Sequence, residues 1–242
     1  MKLEDLKMKR IIVEIRYPPH LAVNRNIWSI AERFKDDWSG FGMTGSNGIT
    51  VMKEKLNTEL TAEVHRATYN AENVSDIARA IRDASIFLQY IIDHHDISSV
   101  DRLGSRFYYM LSEEKEFNRE YYAKLISKTT KLLQNNDFPV ANTAGLVLRF
   151  AEDGRRIRFG VFSGDEEVIK RYHRVHNKPE FLQPCILFDI DLCKDQVDTG
   201  FIEKKGFRPR KFSINEEIQG AYRQSLSFAS RYLKLLEEDK NV

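Results

Sequence analysis

Asp189 and Asp191, in the run FDIDLCKD (188–195), are the first residues in this sequence whose type and spacing could do chemistry. In an extended segment, residues two apart point the same way. Two carboxylates on one face can bind a metal ion or balance neighbouring positive charge. A hard cation needs several oxygen ligands, or carboxylates with histidine, in surroundings that hold little positive charge. No histidine alternates with these aspartates, and the strands expected beside them carry Arg102, Arg106, Arg156 and Arg158. Both acids are therefore expected to be counter-ions, and no metal or cofactor is assigned. An arginine-lined anion site is the remaining alternative.

The histidines give a similar answer. Asp93–Asp96 (DHHD) closes a long helical pattern, where the helix dipole favours a cationic imidazole by about 0.3–1 kcal/mol. A zinc site there would need ligands from a second element. His173 and His176 have a workable spacing, but no cysteine or acid pair completes a ligand set, and His20 is expected on a surface loop. The chain contains no GxxxxGK[ST] phosphate loop, no HExxH and no GxSxG. Cys185 and Cys193 stand eight residues apart on one expected strand, about 26 Å when extended, too far for a disulfide. No catalytic residue is assigned.

Two basic stretches rise above the background. Ser163–Pro184 is a long excursion between strands and carries Lys170, Arg171, Arg174 and Lys178 around Tyr172. Further on, Lys204, Lys205, Arg208, Arg210 and Lys211 surround Phe207 and Phe212. Basic residues interleaved with aromatics suit phosphate contact with base stacking. The alternative is a solvated loop whose phenylalanines dock on the body of the protein.

The elements that must position these residues follow from periodicity. Ile11, Val13, Ile15 and Tyr17 alternate with Ile12, Glu14 and Arg16, which predicts a strand. A helix capped by Asn24 comes next, then a short glycine-flanked strand, the strands ITVMKEK and Thr58–Tyr69 with a turn near Asn57, and a helix capped by Ser75. In the second half, Arg102–Met110 is a strand and 118–133 a helix. AGLVLRFAE, RRIRFGVF and PCILFDIDL are strands, the first two joined at Asp153–Gly154, and Ser213 with Glu216 opens the last helix. Both halves thus read strand, helix, three strands, helix. The fold class is α+β: duplicated β-α-β-β-β-α units sharing one antiparallel sheet with the helices on one face. Residues 1–242 form a single structural unit made of pseudo-repeats at 11–97 and 100–238.

This pattern resembles, in architecture only, the duplicated saddle of the TATA-binding protein. That resemblance implies the neighbour order Thr58–Tyr69, Ile11–Tyr17, Arg102–Met110, Cys185–Leu192. The segments IIVEIRYPP and DRLGSRFYY, with FDIDL, also resemble the marker segments of a sporadically distributed family of uncharacterised prokaryotic proteins of about this length, which implies a full-length unit and no particular reaction. On such a sheet the face away from the helices carries Glu63 with His65, Glu14 with Arg16, Arg102 with Arg106, Asp189 with Asp191, and Arg156 with Arg158. Acids and bases are expected to alternate from strand to strand, each cross-strand pair contributing about 0.2–1 kcal/mol.

Overall, 38 basic and 36 acidic residues leave a net charge of +2, so affinity for an anionic partner has to come from a local patch. The charged start MKLEDLKMKR does not resemble a signal peptide, and no apolar run approaches about 18 residues, so a cytoplasmic protein without membrane contact is expected. The functional expectation is a non-catalytic binding protein that holds a macromolecular partner, a protein in the first instance, on the open sheet face and basic rim loops. Nucleic-acid binding through the loops is one alternative, and a small-ligand or enzyme site on the arginine and aspartate face is the other.

Overall fold

Alternation sets the first strand, β1 (Leu6–Arg16): Ile11, Val13 and Ile15 are wholly buried, whereas Arg16 is exposed. The computed structural model describes residues 6–35, 40–43, 48–53, 57–111, 145–164, 185–199 and 212–238. Two short helices, α1 (Leu21–Arg25) and α2 (Ile27–Phe34), follow β1. The strands β2 (Gly40–Met43), β3 (Gly48–Lys53), β4 (Thr58–Glu63) and β5 (Arg66–Glu72) lead to α3 (Ile77–His94). The second half contributes β6 (Ser99–Leu111), β7 (Gly145–Glu152), β8 (Arg155–Gly164), β9 (Cys185–Asp198) and α4 (Ile214–Glu238).

All nine strands join one antiparallel sheet in the order β2-β3-β4-β5-β1-β6-β9-β8-β7. The strands that open the two halves, β1 and β6, are central neighbours, with Ile11 opposite Phe107 and Ile15 opposite Leu103. Outside them lie β5 and β9. Most of this order was legible from the sequence.

The expected single strand Thr58–Tyr69 is instead the hairpin β4–β5, closed by Val64 and His65 with Glu63 opposite Arg66. The first half therefore adds four strands, not three, between its helices. Neither turn residue is among those with positive φ, so no Asn or Gly marks this turn. Tertiary bonds fix it instead. The Tyr17 hydroxyl donates to the Glu63 carbonyl at 2.7 Å, and the Tyr17 N–H donates to the His65 carbonyl at 3.1 Å. By contrast, Asn57 (φ 44°), Asp153 (φ 52°) and Gly154 (φ 70°) do take the left-handed conformation at expected turns.

The helices lie on one side. Tyr222, Phe228 and Tyr232 of α4 pack against Phe107, Phe159 and Phe188, and the Tyr109 and Ser225 hydroxyls share a hydrogen bond of 2.5 Å. Phe87 of α3 meets Phe34 of α2 edge to face at 5.5 Å. The fully buried rings among them, Phe87, Phe107 and Phe188, each contribute about 1.5–3 kcal/mol relative to exposure. Caps depart in part from expectation. Asp76, not Ser75, caps α3 and accepts from the Arg79 N–H at 2.9 Å, while Asn24 lies inside α1. Ser213 caps α4 as expected, accepting from the Glu216 N–H.

The helix expected over 118–133 lies outside the described residues. So do both basic stretches, Lys170, Arg171, Arg174 and Lys178, and Lys204, Lys205, Arg208, Arg210 and Lys211. Among the described residues, no helix is long and apolar enough to cross a membrane.

Candidate functional site

The strand registers place the charged residues opposite the helices in transverse rows. One row reads Arg66, Arg16, Arg102, Asp195 across β5, β1, β6 and β9. Two steps along, the row is Asn70, Ile12, Arg106, Asp191, Arg158, Arg149, ending on β7. The next is Glu72, Arg10, Tyr108, Asp189, Gly160, Val147. Acids and bases therefore do not simply alternate from strand to strand. Arg16 stands between two arginines, and Arg149 faces Arg158.

Charge is balanced mainly along diagonals, which long side chains can span across neighbouring strands. Asp189 is fully buried, held from both flanking strands. Arg106 donates to it through Nε at 2.7 Å and Nη2 at 2.6 Å, the paired geometry typical of strong guanidinium–carboxylate contacts. Arg158 adds Nη1 at 2.8 Å. Its register neighbour Gly160 has no side chain, and Phe162 fills the space: a Cβ added at Gly160 would come within 2.6 Å of the Phe162 ring. Burial works against the charge on Arg106, but the hydrogen bonds and charge of Asp189 outweigh it and raise the pKa of the guanidinium. Tyr108 lies beneath Arg106, 4.9 Å from guanidinium carbon to ring centroid, and burial pushes its hydroxyl up to about 12.

Asp191 is bound less firmly. Arg102 crosses Gly104 to reach it, Nη2 to Oδ2 at 3.3 Å. Burial raises the Asp191 pKa, and the nearby Asp189 charge adds to the rise, despite the opposing pull of Arg102 and Arg106. Arg156 does not join either expected aspartate. It faces Cys193 in the register and pairs with Asp195 at 2.6 Å. Glu14 and Arg16 pair with each other along β1, also at 2.6 Å, and Glu63 is gripped by Arg66 across the hairpin at 2.8 and 2.9 Å. His65 belongs to the β4–β5 turn rather than to a strand.

The face is not open along its whole length. Tyr108 and Met110 (each 3 % exposed) and Leu187 (0 %) point away from the helices yet are buried. The runs Phe107–Leu111 and Ile186–Phe188 are continuously apolar, as two-sided burial requires. The accessible part is the end bearing Arg16, Arg102, Arg156 and Asp195. There a cleft of about 560 Å³ lies over β7–β9, lined by Arg102, Arg149, Arg156, Arg158, Asp191 and Cys193 among others. Arg149, Asp195 and Tyr108 were not singled out in the sequence. Alternation in LVLRFAE marks Arg149 as a face residue, but only the register shows which residues it meets.

His95 departs from the expectation of a cationic imidazole. His94 stacks on Tyr90 at 4.8 Å, while His95 is only 2 % exposed and neither of its ring nitrogens has a hydrogen-bond partner. Burial, reinforced by His94 and His20, lowers the His95 pKa to about 4, so the dipole's preference for a cation loses to desolvation. His20 lies in the loop that leads into α1 and is half-buried there. Among the described residues, no group of three or more His, Cys, Asp or Glu could hold a metal ion.

Compared with protein-family models, curated proteins and solved structures, the chain matches none.

Proposed function

We propose that the protein is a non-catalytic binding protein that seats an anionic protein partner on the face of its sheet opposite the helices, in a cytoplasmic setting. The observation that carries this reading is the cationic side of the accessible end: Arg66, Arg16 and Arg102 abreast in one row, and Arg149 beside Arg158 in another. Charge complementarity of this kind steers and orients partners more than it adds raw affinity.

The two halves, 11–97 and 100–238, are read as diverged copies of one unit, the first half carrying one strand more than β-α-β-β-β-α between its helices, in keeping with the saddle resemblance. The central position of β1 and β6, each flanked by the last strand of its own half, supports this.

The test compares retention of partners from a native extract by the parent, by Arg149→Glu with Arg156→Glu, and by Arg82→Glu on the exposed surface of α3. Partners retained by the parent and by Arg82→Glu but lost by the double variant, with or without nuclease, support the reading. Loss on nuclease treatment alone points to nucleic acid, and equal retention by all three removes the face from consideration.

A further inference from the structure

We infer that the cleft over β7–β9 is a binding site for a phosphoryl dianion, with Arg149, Arg156, Arg158 and Arg102 as its donors. The inference rests on the proposed binding face and names the chemistry of the group that the partner presents there.

The first argument is charge. Asp189, Asp191 and Asp195 are matched by Arg106, Arg102 and Arg156 respectively. Arg158 only shares Asp189 with Arg106, and Arg149 has no ion pair among the described residues. Arg149 and Arg158 stand directly opposite each other on β7 and β8. Their two positive charges are in surplus within one cleft, and a phosphate monoester supplies about −1.5 to −2 at neutral pH.

The second argument is the supply of donors. A guanidinium carries five N–H groups. Arg158 gives one of them to Asp189, Arg156 one to Asp195 and Arg102 one to Asp191. The Arg102 Nε is buried with no hydrogen-bond partner, so Asp191 does not saturate that guanidinium. A single carboxylate is already saturated by two arginines, as Asp189 shows. Three or four converging guanidiniums fit the three terminal oxygens of a phosphoryl group better, because the planar fork matches phosphate geometry.

The third argument is preorganisation. Arg102 lies against Gly104, where an added Cβ would meet its guanidinium at 3.6 Å, and Arg158 is braced by the buried Asp189. These side chains project from β6 and β8, on either side of β9 in one sheet, so little ordering is left to be done on binding. The ligand is either a free phosphate or a phosphoryl group displayed by the protein partner, and the same cleft chemistry serves both.

The test is calorimetric titration of the full chain with inorganic phosphate and with a phosphoserine peptide and its unphosphorylated twin, at constant ionic strength. The same titrations are run on Arg149→Gln with Arg156→Gln. Both arginines are exposed, so the fold is expected to persist, and an unchanged thermal midpoint checks it. Saturable phosphate binding, weakened about tenfold or more in the double variant, is expected, since a hydrogen bond to a charged group is worth at least that factor. Tighter binding of the phosphopeptide than of free phosphate assigns the ligand to a partner, and the reverse assigns a small molecule. No saturable binding of either, or binding unchanged in the double variant, overturns the inference. If partner retention still depends on Arg149 and Arg156 while phosphate fails, only this inference falls. If phosphate binds and partner retention is indifferent to the cleft, it is the proposed function that falls.

Discussion

Asp189 has no exposed surface, yet it keeps two arginines whose own side chains are about a third exposed, at 32 % and 30 %. Removing the acid leaves two guanidiniums facing each other over a buried site, which can cost about 3–5 kcal/mol for a fully buried pair. Because Arg106 and Arg158 can turn to water, Asp189→Ala is expected to lie at the lower end, about 3 kcal/mol, in urea unfolding. Asp189→Ala with Arg106→Ala is expected to be milder than the sum of the single changes by about 1–3 kcal/mol. Additivity within about 0.5 kcal/mol would show that the pair is not coupled. The sign of the charge balance around this aspartate was legible in the sequence, since alternation put acids and arginines on one face. The diagonal pairing was not. It depends on which residues stand opposite each other across the strands.

His95 carries a pH dependence of its own. Its folded pKa, about 4, lies below the ordinary value of 6.5, so the native state binds the proton less readily than the unfolded chain. The stability associated with the neutral imidazole is complete above about pH 6.5 and is lost as pH falls toward 4, by at most about 3 kcal/mol. Urea unfolding at pH 7 and pH 4.5 should show a larger loss for the parent than for His95→Phe. Equal losses would mean that His95 is already hydrated in the folded protein. Sequence pattern placed His95 at a helix end, but its burial depends on the neighbouring Tyr90 and His94 rings, which no periodicity reveals.

At the scale of elements, long periodic segments were the readable part. The alternation of β1 and the stripe Ile81, Ala84, Leu88 and Ile91 of α3 both correspond to buried faces. Turns were readable where a left-handed residue was needed, as at Asn57 and Asp153–Gly154, and invisible at Val64–His65, which needs none. There the hairpin depends on Tyr17 from another strand, a long-range contact that leaves no local signal. Tyr17→Phe keeps the ring and removes the bond to the Glu63 carbonyl. It is expected to cost about 1 kcal/mol and to speed hydrogen exchange in residues 60–69 relative to β6. An unchanged exchange rate there would show that the turn is held by its own residues.

For the whole molecule, the strand order decides what the surface can do. Placing β1 and β6 side by side, with β9, β8 and β7 beyond, gathers arginines from four strands at one end of one face. Sequence alternation assigned Arg16, Arg102, Arg156 and Arg158 to that face. It could not show that continuous apolar runs close the opposite end, or that Arg149 on the edge strand β7 completes the cleft. The central claim is that partners sit on this face and not on the helices. The most direct measurement is site-specific photo-cross-linking in native extract, with the reactive residue placed at Ala151, exposed and facing away from the helices, or at Ile86, which is 49 % exposed on α3. The account predicts a discrete cross-linked protein from position 151, competed by phosphate, and none from position 86. Cross-linking from position 86 alone would contradict it.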